Sequence, residues 1–321
     1  MRKSFISAIF LFSVLPTLAP AADLSVPNRL ELASRDREAT FIGGVGYTFL
    51  RAEEIVYDSA GNRVSALFWE SEAPVLTGSL HARFAGPWTL AASATVGISG
   101  KSRMEDYDWL DASPSYAFND WSDRSIHPDT ELNHYFTGDI ALGRDFEIRD
   151  SLTLNLHGGF KYTDVKWTTF GGSFVYSENG FRDDIGNFRD SERGISYQQK
   201  FPGVFLGAEA TARHKGWTFS LQARGGLNFK VEDEDHHWSR DVRFNGDFGT
   251  LPFVSLSGRV EYNLTKNANL FVAGNFEQHF HKIGDVRISE IASGAPVGAF
   301  QDGGGLEFRA VTISGGFKMK F

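Results

Sequence analysis

The sequence contains no cysteine among its 321 residues. Disulfide scaffolds and thiol nucleophiles are therefore excluded. Beyond the N-terminal segment no run of 18 apolar residues occurs, which excludes a transmembrane helix. Positive charge is also scarce, since 32 Lys and Arg stand against 40 Asp and Glu and the net charge is −8. This balance argues against a nucleic-acid-binding protein, which would present a basic surface.

The first 21 residues have the composition of a secretory signal peptide. Arg2 and Lys3 supply a basic start, residues 5–18 are mainly apolar, and residues 19–21 are Ala-Pro-Ala. Small residues after an apolar stretch are typical of a cleavage site. The sequence therefore predicts a signal peptide at 1–21 and a single mature domain at 22–321.

Alternation of apolar and polar residues dominates the rest of the chain. Residues 152–157, 217–224 and 254–262 each place apolar side chains on one face of a strand and polar ones on the other. Strands that are apolar on one face, in a chain with 14% aromatic residues, are typical of a transmembrane β-barrel. Ten strands are predicted, at 41–57, 63–84, 88–102, 132–148, 152–176, 194–214, 217–238, 250–264, 268–289 and 306–321.

The predicted connections alternate between short turns and longer charged loops, as expected when the long loops are extracellular. Several strands exceed the ~9–11 residues that cross a bilayer. We therefore expect an all-β fold, a ten-stranded antiparallel transmembrane β-barrel projecting above the outer membrane. A soluble sandwich or lipocalin-like barrel is the competing fold. The long connections are predicted at 58–62, 103–131, 177–193, 239–249 and 290–305.

Two clusters of chemically active side chains lie at predicted strand ends. Side chains two apart share a face of a strand, so Asp235 and His237 point the same way, as do Asp106 and Asp108. A carboxylate beside an imidazole can orient a general base, and two adjacent carboxylates tend to raise one pKa. A solvated acidic loop explains either cluster equally well, and a calcium site is a further alternative for the second.

Other catalytic arrangements are missing. No Gly-x-Ser-x-Gly motif is present, so a nucleophile-elbow hydrolase is not indicated. His127 has no second histidine at metal-ligand spacing, and the adjacent His236 and His237 would face opposite ways in a strand. We therefore expect no metal and no cofactor. A water held between His237 and Asp106 is the predicted nucleophile.

Five segments spread over the mature chain are long enough to be compared with known families. They are DYDW at 106–109, SIHPDTELN at 125–133, GGSFVY at 171–176, GFRDDIG at 180–186 and DEDHH at 233–237. Together they resemble the omptin family of outer-membrane proteases. The resemblance implies a ten-stranded barrel in the bacterial outer membrane, with its active site in a groove facing the cell exterior.

The resemblance also implies a role for each acidic cluster. Asp235 and His237 would form the dyad that activates water. Asp106 and Asp108 would form the opposing pair that positions the water and stabilises the tetrahedral intermediate. This chemistry is that of an endopeptidase of the aspartic type, with no metal and no covalent intermediate.

Substrate specificity is implied in the same way. Glu54 and Asp233 match positions that line the family's primary pocket, where two carboxylates would hold an Arg or Lys before the scissile bond. Met104 and Ile195 match positions that line the neighbouring pocket. Peptides and proteins with basic residues, dibasic sites among them, are the expected substrates. From the residues alone, Glu54 is better explained as a solvated side chain on the acidic run Glu53-Glu54.

Lipopolysaccharide is the expected activator, because the resemblance implies phosphate contacts on the outer barrel wall. Tyr162, Asp164 and Lys166 resemble a Tyr-x-Glu-x-Arg motif, and Lys200 stands where the family usually has Arg. Lys binds phosphate as a point charge and is a weaker bidentate partner than Arg. His236 stands where the family has Glu.

Two other functions remain open from the sequence. A surface adhesin or invasin could use the same barrel with little or no proteolysis. A passive pore is the third alternative, although a barrel of about ten strands is close in size to those whose interiors are filled by side chains. The protein is expected to act as a monomer.

Overall fold

The computed structural model describes residues 38–97 and 99–321. The predicted signal peptide, residues 1–21, lies outside them. Within them the backbone forms thirteen β-strands and two three-residue 3-10 turns, Phe118–Asp120 and Trp238–Arg240. No helix in this part of the chain is long and apolar enough to cross a membrane.

The strands are β1 (Glu38–Tyr57), β2 (Arg63–Ala85), β3 (Trp88–Gly97), β4 (Lys101–Asp108), β5 (Asp123–Arg149), β6 (Leu152–Phe170), β7 (Ser173–Tyr176), β8 (Asp184–Asn187), β9 (Arg193–His214), β10 (Trp217–His237), β11 (Val242–Asn263), β12 (Ala268–Glu290) and β13 (Pro296–Lys320).

The sheet closes on itself. Antiparallel neighbours follow one another in the order β1, β2, β3, β5, β6, β9, β10, β11, β12 and β13, and β13 pairs back to β1. β4 continues β3 between β2 and β5, so the two share one of ten positions in the ring. β7 and β8 form a small hairpin beside β5. The prediction of an all-β, ten-stranded antiparallel barrel is confirmed.

The outer wall carries an apolar band. Leu80, Ile140, Leu206 and Val272 are among many large apolar side chains that are more than half exposed on its surface. Closure pairs the edges of the sheet, and a wall that is apolar outside and polar inside is the arrangement that a lipid bilayer requires. The alternation in the sequence therefore positions the barrel wall.

An aromatic layer fills the interior below the mouth. Trp69 is fully buried and stacks on Trp167 and Tyr197, with ring centroids 6.0 and 5.6 Å away. Phe201 and Phe308 continue this layer, with centroids 5.8 Å apart. The layer closes the barrel interior and forms the floor beneath the strand ends that carry the two acidic clusters.

The connections predicted at 103–131, 239–249 and 290–305 are wrong in extent, whereas the one at 58–62 is as predicted. β4 runs to Asp108 and β5 begins at Asp123, so the connection predicted at 103–131 is only 109–122. β11 and β13 likewise begin at Val242 and Pro296, inside segments predicted as loops. Above the apolar band both faces of a strand can be polar, so the alternation disappears although the backbone ladder continues.

Candidate active site

The ends of β4 and β10 carry the four predicted catalytic side chains. β4 lies between β2 and β5, whereas β10 lies between β9 and β11, well separated around the ring. The two clusters nevertheless interact across the mouth, since the charge of Asp235 raises the pKa of Asp106 and the charge of His237 lowers that of Asp108. The catalytic roles of the four side chains stay predictions.

Asp235 and His237 form a tight pair. His237 Nε2 lies 2.5 Å from Asp235 Oδ2, and both side chains are buried, at 2% and 8% exposure. The edge of the Phe244 ring packs on the imidazole with a centroid distance of 5.2 Å. A buried carboxylate fixes the orientation of the imidazole and favours the tautomer with its proton on Nε2. The other nitrogen, Nδ1, is then the basic one.

Asp106 and Asp108 form a partly buried carboxyl pair. Burial, followed by the charge of Asp108, raises the pKa of Asp106 well above its usual range. Burial also raises the pKa of Asp108 to about 6, against the opposing effect of its hydrogen bond with Ser65. The Ser65 hydroxyl also lies 3.3 Å from Asp106 Oδ1 and donates to it. The pair can therefore share a proton near neutral pH.

Glu54 and Asp233 lie beside this centre. The Tyr197 hydroxyl and the Gly246 backbone N–H each donate to Asp233 over 2.9 Å, and burial raises the pKa of Asp233 to about 7. Burial, followed by the charges of Asp235 and Asp233, raises the pKa of Glu54 well above its usual range. We call Glu54, Asp106, Asp108, Asp233 and Asp235 the acidic cluster.

Not every buried oxygen of the acidic cluster receives a hydrogen bond from the described residues. Glu54 Oε2 and Asp235 Oδ1 are buried and have no hydrogen-bond partner among the described residues. Two facing carboxyls attract only if one holds a proton, and an incoming cation would relieve their repulsion. The geometry therefore favours binding of a positively charged group deep in the groove.

Met104 and Ile195, the predicted neighbours of this pocket, lie deeper than expected. Met104 is fully buried and Ile195 is 7% exposed, and both belong to the aromatic layer. Met104 pairs in register with Trp69 on β2, and Ile195 pairs with His237. They pack beneath the catalytic strand ends, and their contact with substrate stays a prediction.

Arg240 and Tyr176 also lie at this centre and were not predicted from the sequence. Arg240 Nη2 contacts His237 Nδ1, and its charge lowers the pKa of Asp106 and Asp108 against the effect of burial. Burial and the charge of Asp106 raise the pKa of Tyr176, so its hydroxyl stays a neutral donor near the carboxyl pair. Arg240 follows His237 by three residues, which is the one signal the sequence offered.

The four residues predicted to contact lipopolysaccharide lie together on the outer wall. Tyr162, Asp164 and Lys166 alternate along β6, and Lys200 on β9 is in register with Asp164. Asp164 accepts hydrogen bonds from the Tyr162 hydroxyl at 3.3 Å and from Gln198 Nε2 at 2.8 Å. The structure thus brings them to one patch, and lipid binding there stays a prediction.

His127 makes contacts that hold the fold together. Its Nδ1 lies 2.5 Å from the carbonyl oxygen of Gly171 and its ring stacks on Phe188, so it ties β5 to the bend after β6. Over residues 38–97 and 99–321, no three His, Asp or Glu side chains converge as a metal site would require.

A closed ten-stranded ring with an apolar outer wall is the fold of a β-barrel outer-membrane protein. Its mouth carries the Asp–His dyad and the carboxyl pair. The family model described as "Omptin family" matches residues 37–321. The chain belongs to the omptin family.

Named relatives support this membership. Protease 7 of Escherichia coli O157:H7 is 28% identical over 253 residues, covering 74% of this chain and 76% of the relative. The plasminogen activator of Yersinia pestis is 24% identical over 324 residues and the full length of both chains. The crystal structure of the outer membrane protease OmpT from Escherichia coli superposes with a TM-score of 0.80 at 26% identity, covering 88% of this chain and 97% of that one. The family supports a protease function and an outer-membrane location.

Proposed function

We propose that the protein is an outer-membrane endopeptidase that hydrolyses peptide bonds next to Arg or Lys. The observation that carries the proposal is the His237–Asp235 pair, 2.5 Å apart, opposite Asp106 and Asp108 across the barrel mouth. The short turns lie at the opposite end of the barrel, so the groove faces the cell exterior. The protein acts as a monomer, because the groove is built within one ring of strands.

The mechanism follows from the protonation states. Asp235 accepts the Nε2–H of His237, so Nδ1 takes a proton from a water held against Asp106. The water oxygen attacks the carbonyl carbon, and the carbonyl π electrons move to its oxygen. The proton on Nδ1 then passes to the leaving nitrogen as the C–N bond breaks. A proton shared by Asp106 and Asp108 can donate a hydrogen bond to the oxyanion.

Specificity for basic residues rests on Glu54 and Asp233. A guanidinium or ammonium group between them would replace the repulsion of two buried carboxyls with charge-assisted hydrogen bonds. Tyr197 and Gly246 hold Asp233 in place, and the aromatic layer provides a dry floor under the apolar part of the substrate side chain. An Arg or Lys before the scissile bond fits these requirements.

Lipopolysaccharide is the activator that we propose, bound at the patch of Tyr162, Asp164, Lys166 and Lys200. The support is that these side chains share one face of β6 and β9 above the apolar band. Lysine ammonium groups attract lipid phosphates as point charges. Occupation of the patch would brace β6 and β9, and β9 pairs with β10, which carries the catalytic dyad.

The test is a cleavage assay on the refolded chain in detergent. A quenched peptide containing Arg-Arg is added with and without lipopolysaccharide, and His237→Ala is compared with His236→Ala as its matched control. His236 stacks on Trp238 and lies on the opposite face of β10. Cleavage beside Arg that is lost only in His237→Ala supports the protease. Full activity of His237→Ala contradicts it, and cleavage without lipid contradicts the activator alone.

A further inference from the structure

Arg240 is a cation at the catalytic centre to which the mechanism above assigns no part. Its Nη2 contacts His237 Nδ1, the ring nitrogen opposite the one that faces Asp235. A guanidinium carries only donors, so Nδ1 must be the acceptor in this contact. We propose that Arg240 is a positioning residue that selects the tautomer of His237 whose lone pair lies on Nδ1. The inference rests on the proposed function, since it assigns Arg240 a part in the same reaction.

The two contacts of the imidazole select one tautomer. Asp235 accepts a proton from Nε2, and Arg240 donates to Nδ1. A proton on Nδ1 would set two N–H groups against each other and place a second positive charge beside the guanidinium. Arg240 therefore favours the tautomer that can take a proton from water on Nδ1.

The charge of Arg240 acts on the carboxyl pair as well. Burial raises the pKa of Asp106 and of Asp108, and Arg240 is a neighbour that lowers both. Without this cation both carboxyls would keep their protons to higher pH, and the pair would lose the carboxylate that orients water. The titratable and charged groups that face this centre are Glu54 on β1, Asp106 and Asp108 on β4, Asp123 on β5, Tyr176 on β7, and Asp233 and Asp235 on β10.

The backbone that carries Arg240 is anchored on two sides. Trp238 Nε1 donates to Ser196 Oγ over 2.8 Å, and the carbonyl and carboxylate of Asp241 accept from the N–H groups of Ile291 and Ala292, each over 3.0 Å. Asp241 has a φ of 53°, which reverses the chain directly after Arg240. The turn is fixed while the Arg240 side chain is exposed. The guanidinium can move aside for a water molecule and stay over the acidic cluster.

The experiment compares Arg240→Gln, Arg240→Lys and the matched control Arg243→Gln. Arg243 lies on the same hairpin, in register with His236, and donates to Ser289 Oγ, away from the dyad. We expect Arg240→Gln to lose about tenfold in kcat/KM at pH 6 and much less at pH 8, which moves the acid limb by about one pH unit. The loss lies in kcat, with KM little changed. Arg240→Lys restores the profile, and Arg243→Gln has the wild-type one.

Two kinetic results would overturn the inference. An equal loss at every pH would show a purely structural role. A gain in kcat/KM at every pH would show that the guanidinium only obstructs the base. The kcat/KM values behind both outcomes are measured with the Arg-Arg peptide and the intact refolded barrel.

A spectroscopic measurement tests the same inference without requiring peptide cleavage. The imidazole 15N signals of His237, identified by their loss in His237→Ala, should show Nδ1 unprotonated and Nε2 protonated at pH 7. Arg240→Gln should show a mixture of the two tautomers, and identical spectra would overturn the inference. If the wild-type protein cleaves no peptide, the proposed function fails, while these spectra still test the role of Arg240.

Discussion

The two ends of the barrel interior handle buried charge in opposite ways. Near the short turns, Glu261 accepts from Lys318 Nζ at 2.9 Å and from Arg259 Nε at 2.8 Å. In mid-barrel, Lys161 Nζ lies 2.9 Å from Glu277 Oε2. At the mouth, in contrast, the five carboxyls of the acidic cluster lie together, Arg240 acts on only two of them, and two of their oxygens have no partner among the described residues.

This difference distinguishes buried charges that stabilise the fold from buried charges that do not. Breaking a buried ion pair is costly, so the paired groups hold the barrel interior together. Unpaired buried carboxyls destabilise the fold, and such strain is typical of functional sites. The mouth is therefore the end of the barrel where chemistry is expected.

The largest expected effect is on catalysis at the mouth. His237→Ala removes the base, and we expect kcat to fall by about a thousandfold or more. Removal of the imidazole also leaves the buried Asp235 carboxylate without its partner, so we expect a loss of about 1–3 kcal/mol in the free energy of unfolding, small enough for the barrel to fold. Peptide cleavage and heat-modifiable gel mobility measure the two properties. If the inactive variant also failed to fold, the expected difference between its effects on catalysis and on stability would be contradicted.

A stability comparison follows next in size. Glu277→Ala leaves Lys161 buried without its carboxylate, so we expect a loss of about 3–5 kcal/mol in the free energy of unfolding. Glu54→Gln removes an unpaired acid, and we expect a gain on the order of 1 kcal/mol at pH 8. Tryptophan fluorescence during denaturant unfolding in lipid vesicles measures both. Equal losses in the two variants would contradict the comparison.

Specificity at the mouth should depend on Asp233. Asp233→Asn should lower the preference for an Arg peptide over its neutral citrulline analogue by about tenfold to a hundredfold, as loss of a charge-assisted hydrogen bond implies. Glu234→Gln is the matched control, because adjacent side chains of β10 face opposite ways. Rates on the two peptides give the ratio. An unchanged ratio in Asp233→Asn would remove this residue from the pocket.

The smallest effect is on the pH dependence of stability. Burial raises the pKa of Asp108 to about 6 and that of Asp233 to about 7, above the ~4 of an unfolded chain. The folded state then binds these protons more tightly, so their contribution is present below pH ~4 and is lost as pH rises through 6 and 7. Asp233→Asn should show a smaller decline between pH 5 and pH 8 than the wild type in denaturant unfolding. An identical decline would place Asp233 in water.

Strand content followed from the sequence because lipid imposes a two-residue period. Residues 152–157 and 254–262 were predicted as strands, and β6 and β11 contain them. Strand ends were not predictable in the same way. The segment 242–249 alternates Val242, Phe244 and Phe248 with Arg243, Asn245 and Asp247, but its glycines and charges are also typical of a loop, and its ladder with β10 shows that it is strand.

The residues of the candidate site likewise differ in whether the sequence could predict them. Asp106, Asp108, Asp235 and His237 were found because carboxylates and an imidazole two residues apart must share a strand face. Arg240 was missed because its contact with His237 depends on the 3-10 turn Trp238–Arg240, which aligns side chains three residues apart and which no short pattern announced.

The sequence by itself determined the alternating strands, the family resemblance and the side chains available for catalysis, since these depend on residue type and local spacing. The tertiary structure alone decided which charges are paired and which are not. Ring closure sets β4 and β10 across one mouth, and pairing depends on distances between residues far apart in the chain. The acidic cluster and the arginine above it are therefore properties of the closed barrel.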